Sequence, residues 1–193
     1  GLVPLFHTVV LREKRVVSWE DARLEIAIDS GELIAGDGRE TLCELELELL
    51  SGDAGALFVV ARALDTVVPL RLSVLSKSER GYRLAGGPQG GAVKAEPVEL
   101  ADTPDVATAF ARIAQGCIRQ FRLNEDLFLA SGSPDSLHQL RVGIRRLRSA
   151  LTLFRPVLRA DPEYRRISDA LKELGTVMGA VRDLDVLIAR LAP

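Results

Sequence analysis

The sequence predicts an α+β protein, an antiparallel β-sheet in the amino half followed by an all-α helical domain. Three observations carry this. Runs between residues 5 and 50 alternate apolar and polar side chains with glycine turns between them. Residues 101–193 instead carry apolar side chains three and four apart, the spacing of a helix face. The charge balance also changes: residues 1–100 hold 11 Lys or Arg against 16 Asp or Glu, and residues 101–193 hold 14 against 11. A net charge of −2 conceals an acidic half and a mildly basic one. Two domains follow, residues 1–85 and 101–193, with a linker over 86–100. There Gly86-Gly87-Pro88-Gln89-Gly90-Gly91 leads on to Thr103-Pro104, a helix-start signal.

In chain order, strands are predicted over Leu5–Ser18, Arg23–Asp29, Leu42–Leu50 and Leu70–Leu75. Gly31, Gly36-Asp37-Gly38 and Ser51-Gly52-Asp53 are the expected turns. One helix interrupts the strands, from Asp53 to Leu64, with Leu57, Val60, Ala61 and Leu64 at helical spacing. The sharpest strand is Glu44-Leu45-Glu46-Leu47-Glu48-Leu49. Period two puts its three carboxylates on one face and its three leucines on the other. Like charges about 7 Å apart need water, cations or arginines beside them. A solvent-facing edge and a divalent-cation site for Mg²⁺ or Mn²⁺ both satisfy that pattern. Arg12 and Lys14 share a strand face, as do Glu25, Ala27 and Asp29.

In the carboxyl half, Ser133-Pro134-Asp135 opens a helix of about five turns, and Pro156 ends its pattern. His138, Arg141, Arg145 and Arg148 fall within roughly a quarter of its circumference, while Leu137, Leu140, Ile144, Leu147 and Leu151 form a packing stripe. No Glu or Asp lies between Leu137 and Ala160, so these arginines have no local partners. Two readings stay open, a solvated face or a row of forked donors suited to repeating phosphates. His138 is equally open between packing and phosphate contact, and His7 is taken as structural. Further on, Lys172, Gly175, Gly179 and Arg182 approximate one face, with a helix break expected at Gly175. Leu171, Leu174, Val177, Val181, Leu184, Val186, Leu187 and Leu191 are expected in the core.

The paired motifs His138-x-x-Arg141-Val142-x-x-Arg145-Arg146-Leu147-Arg148 and Leu174-Gly175-x-x-x-x-x-Arg182-Asp183-x-Asp185-Val186 closely resemble the opening of a CHAD domain, the conserved histidine α-helical domain. That resemblance covers about Ala101 to Pro193 and implies a partial all-helical fold that binds inorganic polyphosphate. It makes His138, Arg141, Arg145, Arg146, Arg148, Lys172 and Arg182 the expected polyphosphate contacts, with Asp183 and Asp185 pairing arginines.

In the amino half, Trp19-x-x-x-Arg23-x-Glu25-x-Ala27-x-Asp29-x-Gly31, the Glu-Leu-Glu-Leu-Glu strand and Ser76-Lys77-x-x-Arg80-Gly81-Tyr82 together resemble the later part of a CYTH domain, a triphosphate tunnel metalloenzyme. This resemblance implies part of an antiparallel β tunnel in which Mg²⁺ or Mn²⁺ and basic residues hold triphosphate. Glu44, Glu46 and Glu48 are then the expected metal carboxylates, and Arg12, Lys77 and Arg80 the phosphate clamps. Glu44, Glu46 and Lys77 are the expected catalytic residues. The amino-terminal Glu-x-Glu-x-Lys strand of that family is not found in these 193 residues, since Glu44 to Glu48 lacks the lysine.

No apolar run approaches the roughly 18–20 residues of a membrane span, and no signal peptide opens the chain, so a cytoplasmic protein without a membrane partner is expected. Association with polyphosphate granules would follow from the CHAD resemblance. Gly1 stands directly before a strand-like run, which suggests an excised piece. Cys43 and Cys117 lack C-x-x-C or histidine spacing and are expected to be buried free thiols. Three function classes result: a polyphosphate-binding module fused to a triphosphatase-like domain, a non-catalytic polyphosphate scaffold, and a nucleic-acid binder. The last is disfavoured by an acidic chain that lacks basic residues interleaved with stacking aromatics. The first predicts that these 193 residues release phosphate from tripolyphosphate and Mg²⁺ poorly. A rate equal to that of an intact CYTH enzyme in a phosphate-release assay would contradict it.

Overall fold

Long alternating runs joined by two-residue turns build the first half. A computed structural model describes residues 3–86, 91–102 and 105–191, without the side chains of 185, 186 and 189. The chain divides into two compact units, Gly1–Gln89 and Gly90–Pro193.

In the first unit, β1 (His7–Trp19), β2 (Ala22–Ala35) and β3 (Gly38–Ser51) form an antiparallel sheet in the order β1-β2-β3. Glu20, at φ 50°, and Gly36, at φ 56°, supply the left-handed backbone of the two hairpin turns. The register sets Arg12 opposite Asp29, Asp29 opposite Glu44, Ala27 opposite Glu46 and Glu25 opposite Glu48. Residues paired across an antiparallel ladder share a face, so Arg12, Asp29, Glu44, Glu46, Glu25 and Glu48 lie on one side. The other side carries Val17, Leu24, Ile26, Leu47 and Leu49, against which Val60 of α1 (Gly55–Asp65) packs. The second helix, α2 (Lys77–Ala85), contacts all three strands. Its Gly81 meets the Phe6 ring, and Leu84 approaches Gly38.

Several expectations change in this unit. Two helices are present rather than one, because Ser76 and Glu79 close a capping box that starts α2. Leu70–Leu75 is not a strand. Leu70 N donates to Asp65 Oδ1 at 2.7 Å and the Ser73 hydroxyl to the Leu75 carbonyl, two local bonds in place of a ladder. Gly31 is no turn but lies inside β2, paired with Val10 and Leu42. A side chain there would place Cβ 2.0 Å from the Val9 carbonyl oxygen, a close approach only glycine permits. Cys43 is exposed, whereas Cys117 is buried and burial pushes its thiol pKa up.

The second unit contains α3 (Val106–Ser131), α4 (Pro134–Leu153), the short α5 (Arg155–Leu158) and α6 (Glu163–Leu191). Asp105 caps α3 by accepting from Thr108 N at 2.7 Å, and Gly132, at φ 65°, ends it. Ser133 and Pro134 start α4 as predicted. Leu137, Leu140, Ile144 and Met178 form the core, with Phe121, Phe128 and Leu171 around it. Residues 93–99, drawn above as the end of a linker, are tied to α3. Buried Asn124 bonds both Val93 N and Val93 O at 2.8 Å, and Arg112 donates to Glu99 O. Gly87 to Gly90 of that linker, Thr103-Pro104, and the Asp185 and Val186 side chains lie outside the described residues.

The predicted break at Gly175 does not occur, since α6 runs unbroken through it. Each helical glycine costs about 1 kcal/mol relative to alanine, and here the helix accepts that cost while packing on α4. The expected α6 core is also largely exposed: Leu174, Val177, Val181, Leu184, Leu187 and Leu191 face outward. Among the described helices α4 is the main neighbour of α6, and one neighbour covers one stripe. Among the described residues no helix is long and apolar enough to cross a membrane.

Gly31→Ala should destabilise the sheet unit by about 2 kcal/mol or more, because the Val9 backbone must move to admit a methyl group. Urea unfolding followed by circular dichroism measures it, and a midpoint equal to wild type would disprove the close approach.

Candidate functional site

Two groups of charged residues stand out, one in each unit. On the sheet, Asp29 is fully buried and carries a charge, which requires partners. Arg12 supplies a two-pronged contact, Nε to Oδ1 at 2.6 Å and Nη2 to Oδ2 at 2.5 Å, and Lys77 Nζ lies 2.8 Å from Oδ2. The Arg12 contact holds the Asp29 carboxyl well below the usual carboxylate range, against burial, which pushes it up. Lys77 also approaches Glu44 Oε2 at 2.8 Å and touches Glu46 Oε1. Burial pulls the Lys77 pKa down, but its bonds to Asp29, Glu44 and Glu46 outweigh that and raise it.

Arg80, one turn along α2 from Lys77, bonds Glu44 Oε1, Glu40 Oε1 at 2.7 Å and the Thr41 carbonyl. Arg12 reaches Glu46 Oε2 at 2.7 Å. The three predicted cations of this half, Arg12, Lys77 and Arg80, therefore converge on one patch with Glu44 and Glu46. Asp29, Glu44 and Glu46 each offer an oxygen, and these oxygens lie within 4.8 Å of one another. Glu48 does not join them. It stays exposed opposite Glu25, two positions further along the strand, and Asp29 from the neighbouring strand takes the third place. Sequence reasoning put Asp29 on the right face but gave it no role; its signal was its place opposite Arg12 once the hairpin register is known.

In the helical unit the expected polyphosphate contacts of α4 divide. Arg146 turns toward α3 and donates from Nη1 to Gln120 Oε1 at 2.7 Å, while Gln120 bonds Gln139. Its position, about 100° round the helix from Arg145, aims it at a structural partner. Arg141 and Arg148 lie toward α6 instead. A Cβ on Gly179 would stand 2.8 Å from Arg141 Nη1, and one on Gly175 3.4 Å from Arg148 Nη1. Gly179 thus leaves room for the Arg141 guanidinium between the helices. Arg141 Nη1 is buried without a hydrogen-bond partner among the described residues. Arg145 and His138 are exposed on the same side of α4. On α6, exposed Lys172 and half-buried Arg182 share a helix face with the two glycines.

Comparison with known proteins bears on this unit. Residues 112–193 match the CHAD domain. That CHAD match spans α4 and α6, and so takes in the arginine row and both glycines. The chain is also 35% identical over 83 residues to an inorganic triphosphatase of Haemophilus influenzae, over 43% of this chain and 24% of that relative. The chain thus spans about a quarter of the length of the relative it matches.

Asp29→Asn should cost about 3 kcal/mol, because it leaves Arg12 and Lys77 gathered around a neutral group. The sign with pH follows from the lowered folded-state pKa. The carboxylate's contribution is complete above the unfolded value near 4 and is lost as pH falls through the lower folded value. The difference between wild type and variant should therefore hold from pH 7 to about pH 4 and shrink in stronger acid. Urea unfolding across that range tests this; a difference that vanishes by pH 5 would show the carboxylate is not held by Arg12.

Proposed function

We propose that this chain is a polyphosphate-binding protein in which a CHAD-type helical module follows a CYTH-type, inorganic-triphosphatase-like domain that takes triphosphate and a divalent cation. The observation that carries the reading is the buried Arg141 Nη1, a cationic donor without a partner among the described residues, in a cleft kept open by Gly179. A buried donor left unpaired costs free energy until an acceptor reaches it. Among the described residues Arg145, Arg148, Lys172 and Arg182 form no ion pair with a carboxylate, so α4 and α6 both carry positive charge free to meet an anion. Inorganic polyphosphate repeats one anion per phosphorus, and arginines one turn apart meet successive phosphates with bidentate forks. The CHAD match over the same helices and the triphosphatase relative support a phosphate ligand.

On the sheet, the donor set is all carboxylate oxygen, the chemistry Mg²⁺ or Mn²⁺ prefers, and a cation already stands among these oxygens in the form of Lys77. Asp29, Glu44 and Glu46 would hold the metal, which when bound supplies charge neutralisation to phosphate oxygens. Arg12, Lys77 and Arg80 would orient the triphosphate and spread its charge, the work phosphoryl transfer asks of a protein. A binding-only role for the sheet rests on the same pairing, since Arg12, Lys77 and Arg80 already have carboxylate partners.

Arg141→Glu with Arg145→Glu should abolish retention on immobilised long-chain polyphosphate while leaving the far-ultraviolet circular dichroism unchanged. Retention equal to wild type would refute the cleft as the site. Duplex DNA at equal phosphate concentration should fail to displace the polyphosphate; displacement would favour nucleic-acid binding.

A further inference from the structure

Lys77 is the cation that contacts all three carboxylates of the sheet cluster. Its Nζ lies 2.8 Å from Asp29 Oδ2, 2.8 Å from Glu44 Oε2 and against Glu46 Oε1. Arg12 holds Asp29 and Glu46, and Arg80 holds Glu44 and Glu40, so neither guanidinium spans the set. The ammonium therefore stands where one oxygen from each carboxylate converges.

An ammonium and a divalent metal cannot share that place. Mg²⁺ draws its oxygens to about 2.0–2.1 Å, and a second positive charge on the same oxygens would sit only a few ångströms away. The backbone carrying Lys77 is fixed, since Ser76 and Glu79 cap α2 from both sides of the first turn. The side chain is not, because four methylene groups let the ammonium swing without moving the helix. Displaced, it stays tethered beside the carboxylates and can meet whatever anion the metal brings.

We propose that Lys77 is the protein's own stand-in for the divalent cation. Its ammonium holds Asp29, Glu44 and Glu46 together in the absence of metal, and metal expels it toward the phosphate. Lys77 is here a positioning residue with two successive partners, and the arrangement makes metal and phosphate binding mutually reinforcing. The inference rests on the metal reading proposed above and adds the competition between lysine and metal.

Mn²⁺ binding to the whole 193-residue chain, followed by electron paramagnetic resonance of free Mn²⁺, tests it. Lys77→Met should bind Mn²⁺ at least about tenfold tighter than wild type, since a positive charge in contact with the ligands is removed. Lys14→Met, which removes the same charge from the same sheet face but from a lysine bound to Glu25, should change the affinity less than about twofold. Tripolyphosphate affinity should rise with Mn²⁺ in wild type and rise less in Lys77→Met. Equal or weaker Mn²⁺ binding by Lys77→Met, or equal tightening by Lys14→Met, would overturn the competition while leaving the metal reading standing. Mn²⁺ binding by neither protein at millimolar concentration would overturn both. Should Lys77→Met fail to fold, the lysine ammonium resonances of the wild-type protein replace it. Mg²⁺ should move one of them from a bonded to a solvent-like position, and no movement at saturating Mg²⁺ would overturn the proposal.

Discussion

Glutamates at period two on one face of a sheet need cations beside them wherever water is excluded, and the first unit is arranged around that constraint. Glu44, Glu46 and Glu48 lie on the side of β3 away from α1, the first two next to buried Asp29 on β2. Arg12 comes from the opposite edge strand, and Lys77 and Arg80 come from α2. The capping box that starts α2 thus also delivers the two cations that make the acidic face tolerable. Exposed ion pairs contribute little, but an uncharged environment around Asp29 would leave a buried carboxylate alone, and that is costly.

The helical unit shows the opposite electrostatic arrangement. Its arginines are gathered by the 3.6-residue period along α4, with no acidic residue on that helix beyond its first turn. Gly179 on α6 lets the guanidinium group of Arg141 enter between two helices, and Arg148 lies against Gly175 nearby. A side chain at Gly179 would press on the Arg141 guanidinium. The apolar stripe of α4 meets Met178 and Leu171 alongside this polar seam, so packing and positive charge occupy neighbouring stripes of one helix pair.

Much of this was legible in local pattern. Strict alternation located β3 and assigned its faces, and Ser133-Pro134 located the start of α4. The failures have separate physical causes. Gly31 looked like a turn because glycine is ambiguous, and only the neighbouring Val9 backbone explains it. Leu70–Leu75 had strand composition, but composition supplies no pairing edge. Ser76-Lys77-Ser78-Glu79 carries the capping-box signal for α2, a local mark that its charges obscure. Arg146 shares its motif with Arg145 yet faces another helix, because adjacent residues on a helix diverge by about 100°.

The sequence by itself determined the α+β class, the charged face of the sheet and the arginine row on α4, since each depends only on a residue's spacing from its neighbours. Tertiary structure alone decided which charges meet. Asp29 rather than Glu48 joins Glu44 and Glu46, because cross-strand register sets that choice. Among the described residues Arg141 rather than Arg146 carries the unpartnered buried donor, because that depends on which helix packs against which face. Spacing along the chain fixes direction from a helix or strand axis, and distance between side chains on different elements is fixed only when those elements pack.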